Sequence, residues 1–95
     1  MKIIKSFASR QIAGENLLIP IEETTKDFNG MFELTDTAKF IWDHYESTDS
    51  LDEMVALITE EYEVEEELAR RDVVGFTNTL LQAGFIALTK EDGSW

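Results

Sequence analysis

The fold is decided by the stretch NGMFELTDTAKFIW, Asn29–Trp42, which predicts a short strand running directly into an amphipathic helix. Asn29-Gly30 is a turn signal, and the side chains from Met31 to Leu34 alternate between two faces, as in a strand. Thr35 or Asp36 supplies a helix N-cap. Apolar residues then follow at the i, i+3, i+4, i+7 spacing of one helical face: Ala38, Ile41, Trp42 and Tyr45. This strand is therefore expected to carry the sheet to a helical layer.

The segment before this stretch is typical of strands. Phe7–Ala13 and Leu17–Ile21 predict a β-hairpin around the turn-forming sequence AGEN at positions 13–16. Pro20 has no N–H to donate to a ladder, so either the ladder ends there or that side of the strand is unpaired. The polar segment Glu22–Phe28 predicts a loop.

The segment after it is typical of helices. Ser50 and Glu53 form a capping box ahead of a second helix, and a third helix follows a glutamate-rich run and stops at Gly84. The expected inner face of the third helix is Ala69, Val73, Phe76, Leu80 and Ala83. Three strands followed by three helices predict an α+β, winged helix-turn-helix-like fold with a three-stranded antiparallel sheet. We expect one domain over residues 1–88 and a frayed C-terminal tail over residues 89–95.

Composition and charge exclude several classes of function. The chain has 95 residues, with 8 basic and 20 acidic side chains and a net charge of −12, so phosphate backbones and anionic lipids are disfavoured as partners. It has no cysteine, which removes disulfides and thiolate metal sites. No apolar run approaches membrane-spanning length, and the first residues do not read as a signal peptide. A cytoplasmic protein without nucleic-acid or membrane partners is the expectation.

A second row of side chains on the third helix has two interpretations. Arg70, Val74, Thr77 and Leu81 recur at i, i+4, i+7, i+11, beside the core row. They could widen the apolar face that packs on neighbouring helices. They could instead form one wall of a groove beside the third strand, whose exposed edge carries only Glu33 as a charged residue. An extended peptide could then pair with that strand and rest on Val74 and Leu81, with Arg70 facing an acidic residue.

The sequence contains no convincing catalytic or cofactor motif. Carboxylates are abundant, but none is paired with a histidine, serine or lysine in a pattern that suggests a nucleophile or an acid–base couple. His44 is the single histidine, so no metal site of familiar spacing is expected. The segment Asp49-Ser50-Leu51 is similar to the attachment site of acyl carrier proteins, although the capping box explains the same serine. We expect neither an enzyme nor a bound cofactor.

Several short motifs, taken in order, resemble one family. They are Ala13-Gly14-Glu15-Asn16, Asp27-Phe28-Asn29-Gly30-Met31, Leu34-Thr35-Asp36-Thr37-Ala38 and Ile41-Trp42, followed by Leu51, Tyr62, Asp72, Phe76, Leu80, Gly84 and Ile86. With these motifs the chain, from about Phe7 to Ile86, resembles the stand-alone PqqD-like proteins, also called RiPP recognition elements. The resemblance implies a winged-helix-like domain that binds the leader segment of a ribosomally made precursor peptide.

The resemblance also implies how binding occurs. The leader would add as a strand to the third strand, pack against the third helix and be presented to a modifying enzyme, such as a radical S-adenosylmethionine enzyme, a cyclodehydratase or a leader peptidase. The peptide-binding residues expected on this basis are Met31, Phe32, Glu33, Leu34, Arg70, Val74, Thr77 and Leu81. The alternatives are an acyl-carrier-like protein modified at Ser50, or a structural subunit that forms a homodimer through the strand edge.

Overall fold

The chain folds as three helices packed with small antiparallel sheets, in a computed structural model that describes residues 1–28, 30–89, 93 and 95. The strands are β1 (Lys2–Ile3), β2 (Phe7–Ile12), β3 (Glu15–Pro20), β4 (Phe32–Leu34) and β5 (Ile86–Ala87). The helices are α1 (Asp36–His44), α2 (Leu51–Glu61) and α3 (Glu66–Ala83), with short 3-10 helices at Glu22–Lys26 and Tyr45–Ser47. The segment predicted as a loop is therefore partly a 3-10 helix, and Asn29 of the predicted turn lies outside the described residues.

The predicted α+β class and three-stranded antiparallel sheet are confirmed. The strand order is β2-β3-β4, so β3 is central and β4 lies at one edge. β2 and β3 are joined by a two-residue turn, because Ile12 pairs with Glu15. Ala13 and Gly14 both have positive φ, at 53° and 82°, the conformation that lets a tight hairpin follow the twist of its strands. Pro20 is the last residue of the ladder, opposite Phe7, where its missing N–H is tolerated.

A second, two-stranded sheet was not predicted. β1 pairs antiparallel with β5, with Lys2 opposite Ala87 and Ile3 opposite Ile86. Each strand is too short to show an alternating pattern, and the partners are more than 80 positions apart, so no local signal announces the pairing. This sheet places the first residues of the chain next to the residues that follow α3.

Helix boundaries follow the capping residues. The Thr35 hydroxyl accepts a hydrogen bond from the Ala38 N–H at 3.1 Å and starts α1. The Ser50 hydroxyl accepts from the Glu53 N–H at 3.1 Å and starts α2. α3 ends at Gly84, whose φ of 79° is left-handed and favours glycine. Such caps satisfy otherwise unpaired N–H groups, and the first of them places the strand-to-helix corner at Thr35, one of the two N-cap residues that the sequence predicted.

The core lies between β3, the three helices and β5. Its fully buried members include Leu18, Ile41, Tyr45, Met54, Ile58, Val73 and Ile86. On α3 the predicted inner face is correct for Ala69, Val73 and Leu80, which are buried, whereas Phe76 is half-buried and Ala83 is exposed. Gly84 redirects the chain after α3, and the next two residues, Phe85 and Ile86, are buried in the core.

The predicted frayed tail lies mostly outside the described residues, which after Thr89 include only Gly93 and Trp95. Trp95 is half-buried, with its ring 5.9 Å from that of Tyr45, so at this position the tail packs on the core. A single tryptophan in a short polar tail has no apolar period around it, so the sequence did not predict this contact, although the ring buries a large apolar area. No helix in the described part of the chain is long and apolar enough to cross a membrane.

Candidate functional site

The outer edge of β4 is the open side of the three-stranded sheet. β4 pairs with β3 on its inner side, with Leu34 opposite Asn16 and Phe32 opposite Leu18. Among the described residues, no main-chain group pairs with its other side. Met31, just before the strand, is 61% exposed, and Phe32 is 37% exposed. Unpaired N–H and C=O groups on an accessible edge are a template for another strand.

A cavity lies next to this open edge. It has a volume of about 500 Å³ and is open to solvent. Its lining residues come from the end of β4, the first turns of α1 and the middle of α3: Glu33, Leu34, Thr35, Thr37, Ala38, Ile41, Asp72 and Phe76. We call this space the β4 cavity. A strand placed along β4 would therefore have room beside it for side chains that point towards the helices.

The corner between β4 and α1 is held by a polar pair of which one member, Asn16, is buried. Asn16 on β3 is 5% exposed and donates a hydrogen bond from Nδ2 to Oδ1 of Asp36 at 2.6 Å. Asp36 is the first residue of α1, and Asn16 faces Leu34 across the ladder. A hydrogen bond to a charged acceptor is stronger than a neutral one. The pair thus fixes the first turn of α1 against the sheet and keeps the mouth of the cavity in place.

An aromatic cluster supports the inner face of β4. Phe32 contacts Phe7, Phe28 and Phe85, with ring centroids 5.6–5.8 Å apart, and Phe7 also lies 5.7 Å from Trp42. Edge-to-face pairs at these distances stabilise beyond the area they bury. The cluster was missed from sequence because its members come from four separate segments and share no period. It anchors a three-residue edge strand that would otherwise be marginal.

The wall of the cavity on α3 differs from the one predicted. The α3 residues that line the β4 cavity are Asp72 and Phe76, one turn apart on one flank of the helix. Val74, Thr77 and Leu81 line a separate cavity of about 180 Å³ together with Leu51 and Trp95. Members of the row from Arg70 to Leu81 thus line cavities other than the one beside β4, because the buried face of α3 separates the two flanks.

The members of the predicted row face other partners. Arg70 forms ion pairs with Asp52 of α2 at 2.8 Å and with Glu66 at 3.4 Å, and these carboxylates raise its pKa. Thr77 is buried and its hydroxyl is hydrogen-bonded to the Tyr45 hydroxyl at 2.8 Å. Burial raises the pKa of Tyr45, and the bond to Thr77 partly opposes that shift. Val74 remains 40% exposed. A binding role for this row stays a prediction from the sequence.

The other residues that sequence reasoning considered have structural partners. Ser50 caps α2, and the strand-rich first half of the chain departs from the all-helical fold expected of an acyl carrier. His44 stacks on Phe40 with ring centroids 4.0 Å apart, and its Nδ1 lies 2.7 Å from the Phe40 carbonyl oxygen. No group of three or more His, Asp or Glu residues in the described ranges is placed to hold a metal ion.

Comparison with known proteins gives two matches. The family model described as "Coenzyme PQQ synthesis protein D (PqqD)" matches residues 15–86, which contain β3, β4, all three helices and the first residue of β5. The solved structure of TbiB1 in complex with the TbiA(beta) leader peptide superposes with a TM-score of 0.67 at 25% identity, covering 94% of this chain and 98% of that one. No curated protein matches the sequence. The family match includes every residue that lines the β4 cavity.

Proposed function

This chain belongs to the PqqD family, and from that premise we propose that it binds the leader segment of a ribosomally synthesised precursor peptide by strand addition to β4. The observation that carries the proposal is the open outer edge of β4 beside a cavity of about 500 Å³. Support comes from the structural neighbour, which shares 25% of its residues with this chain and is in complex with a leader peptide.

In the proposed binding mode, the strand edge supplies affinity and the cavity supplies specificity. Main-chain hydrogen bonds along β4 would hold an extended peptide with little dependence on its sequence. Alternate side chains of the peptide would point towards α1 and α3, because successive residues of a strand face opposite sides. Those side chains would enter the β4 cavity, where Leu34, Ile41 and Phe76 offer apolar surface. The cavity, rather than the strand edge, would therefore select the leader.

We further propose that the protein is a non-catalytic adaptor that presents the bound precursor to a modifying enzyme. A radical S-adenosylmethionine enzyme, a cyclodehydratase or a leader peptidase is the class of partner. The cavity combines apolar side chains with two carboxylates and two threonines, and holds no histidine or lysine to complete an acid–base pair. Such a site suits binding and orientation better than bond-breaking.

The first experiment measures binding of synthetic leader peptides, made from any short open reading frame that flanks this protein's gene. Isothermal titration would compare the wild type with Ala38→Phe, which places a ring in the β4 cavity. Val74→Phe is the matched control, because it adds a ring of the same size to the opposite flank of α3. We expect Ala38→Phe to lower affinity by about tenfold or more, equivalent to about 1.4 kcal/mol, and Val74→Phe to leave it unchanged.

A second experiment tests the strand addition. The leader is scanned by N-methylation, one residue at a time, over the segment that binds. In a strand on β4 every second N–H of the peptide points at the protein, so affinity should fall at alternate positions only. A loss of affinity at consecutive positions, or at no position, would contradict binding by strand addition. Weaker binding by Val74→Phe than by Ala38→Phe would return the site to the row predicted from sequence.

The same open edge favours one rival function, which is pairing with a second copy of this chain. A homodimer through β4 would form a continuous sheet across a two-fold axis. Sedimentation of the protein with and without the leader peptide separates the two. If the β4 edge is used only for self-association, the dimer persists at a saturating concentration of leader peptide. If the edge binds the leader, adding the peptide converts the protein to a monomer with one peptide bound.

A further inference from the structure

The β4 cavity has an apolar floor and an acidic rim. Leu34, Ile41 and Phe76 supply its apolar surface, and Asp72 on α3 borders it together with Glu33 on β4. Asp72 and Glu33 are both exposed. Within the part of the chain that the structure describes, neither carboxylate has an ion-pair or side-chain hydrogen-bond partner. The cavity is therefore a place where apolar contact and uncompensated negative charge coincide.

Among the ion pairs of the described residues, no basic side chain is paired with Asp72 or Glu33. Lys5 pairs with Asp27 at 3.1 Å, Lys39 with Asp43 at 2.6 Å and Arg70 with Asp52 of α2 and Glu66 of α3. The protein as a whole carries a net charge of −12. A cation approaching the cavity is attracted both by the local carboxylates and by the long-range field, whereas an acidic peptide is repelled by both.

The strand geometry says which part of a bound peptide would meet the rim. Leu34 lies on the helix side of β4, so neighbouring peptide residues that face this side would enter the cavity. A side chain there must cross apolar surface before it reaches Asp72. Lysine and arginine do this well, because their methylene stems cover apolar surface while the charged head stays at the polar end. Glu33, which borders the same cavity, also favours a basic neighbour across the strand pair.

We propose that the peptide segment bound along β4 carries a lysine or arginine whose side chain enters the β4 cavity and pairs with Asp72. This inference rests on the proposed function, since it assigns the chemistry of the peptide that the open edge receives. Asp72 is then a specificity-determining residue, and Glu33 is a second contributor to the same preference. An acidic or small polar residue at that peptide position would leave the carboxylate unpaired and the apolar floor uncovered.

The test uses a display library of random 12-residue peptides, selected separately against the wild type, Asp72→Asn and Asp72→Lys. Glu67→Lys is the matched control, because Glu67 is an exposed acidic residue on α3 that does not line the cavity, and the change in net charge is the same. We expect one position of the wild-type pool to be enriched in lysine and arginine. That enrichment should be kept with Glu67→Lys, weakened with Asp72→Asn and reversed towards acidic residues with Asp72→Lys.

A double-mutant cycle then measures the pair itself. The preferred lysine of a selected peptide is replaced by norleucine, which keeps the stem and removes the charge. The norleucine peptide should bind the wild type about two- to fivefold more weakly than the lysine peptide, as for an ion pair with a solvent-exposed carboxylate. Against Asp72→Asn the lysine peptide should lose most of this advantage, and the difference measured with the wild type should shrink as salt is raised.

The outcomes separate this inference from the proposed function. Enrichment of apolar, aromatic or acidic residues at the cavity position, with binding still abolished by Ala38→Phe, overturns the assignment of a basic residue and leaves leader binding by strand addition in place. Equal binding of the norleucine and lysine peptides to the wild type would likewise overturn the basic residue and leave leader binding in place. A library that yields no peptide sensitive to Ala38→Phe overturns both.

Discussion

Replacing Thr77 by valine tests whether this residue supports the core or contacts a peptide. The two side chains have nearly the same shape and both are β-branched, so helix propensity changes little. The substitution removes the hydrogen-bond partner of the Tyr45 hydroxyl, whose oxygen lies 2.8 Å from Oγ1 of Thr77. Tyr45 is 0% exposed, so water cannot replace that partner. A buried hydroxyl left without a partner costs about 1–3 kcal/mol. We therefore expect Thr77→Val to lower the free energy of unfolding by about 2 kcal/mol.

The loss should be visible as a shift in melting temperature. For a domain of this size about 1 kcal/mol corresponds to roughly 4–8 °C, so Thr77→Val should lower Tm by roughly 8–16 °C. Circular dichroism during heating and in urea would measure both quantities. Tyr45→Phe should cost less, because the Thr77 hydroxyl can bond to a main-chain carbonyl one turn earlier in α3. The double variant should be no less stable than Thr77→Val, since neither hydroxyl then remains unpaired.

Leader affinity provides the second measurement on the same variants. Below its melting range Thr77→Val should bind the leader peptide as tightly as the wild type, because Thr77 does not line the β4 cavity. Two results would refute the reasoning. Stability within about 0.5 kcal/mol of the wild type, the scatter of an ordinary surface change, would mean that the hydroxyl pair contributes nothing. A tenfold weaker affinity with unchanged stability would make Thr77 a peptide contact, as the sequence pattern suggested.

Two further predictions concern backbone conformation and pH. Gly84→Ala should lower the free energy of unfolding by about 1 kcal/mol because φ at this position is 79°, which alanine disfavours. Gly75→Ala in the middle of α3 should raise it by about 0.5–1 kcal/mol, because alanine favours a helix more than glycine does. An added Cβ meets nothing within 4 Å at either site, so urea denaturation should show opposite signs for the two variants. Burial raises the pKa of Tyr45 above its ordinary 10.0, so its contribution to stability is complete below about pH 10 and is lost as pH rises further. The stability advantage of the wild type over Tyr45→Phe should therefore narrow between about pH 10 and 11.5, and an advantage that is constant over that range would contradict the buried neutral phenol.

Features that depend on neighbours in sequence were predictable in this chain. The Thr35 and Ser50 caps, the stop at Gly84 and the apolar period of each helix are local, because a helix turn or a cap involves residues three or four positions apart. The tight hairpin and its end at Pro20 are local for the same reason. These signals were sufficient for the α+β order of elements and for β4 as the strand that leads into the helices.

Features that depend on partners distant in sequence were not predictable from the sequence. The period of α3 identifies its buried face, but the residues on both sides of that face repeat at the same spacing. Which flank meets β4 depends on how α3 crosses the sheet, and that crossing is set by packing among segments far apart in sequence. The row from Arg70 to Leu81 was therefore chosen for its apolar character, whereas Asp72 and Phe76 occupy the position beside the strand.

The amino-acid order was enough to establish the three α-helices, their caps, the strands of the larger sheet and an edge strand open to a partner, because each of these is encoded within a few turns or one alternation of the chain. The wall opposite that edge, the aromatic cluster beneath Phe32 and the pairing of β1 with β5 arose from contacts between segments separated by tens of residues. Such contacts depend on how the elements pack in space, which no local period encodes.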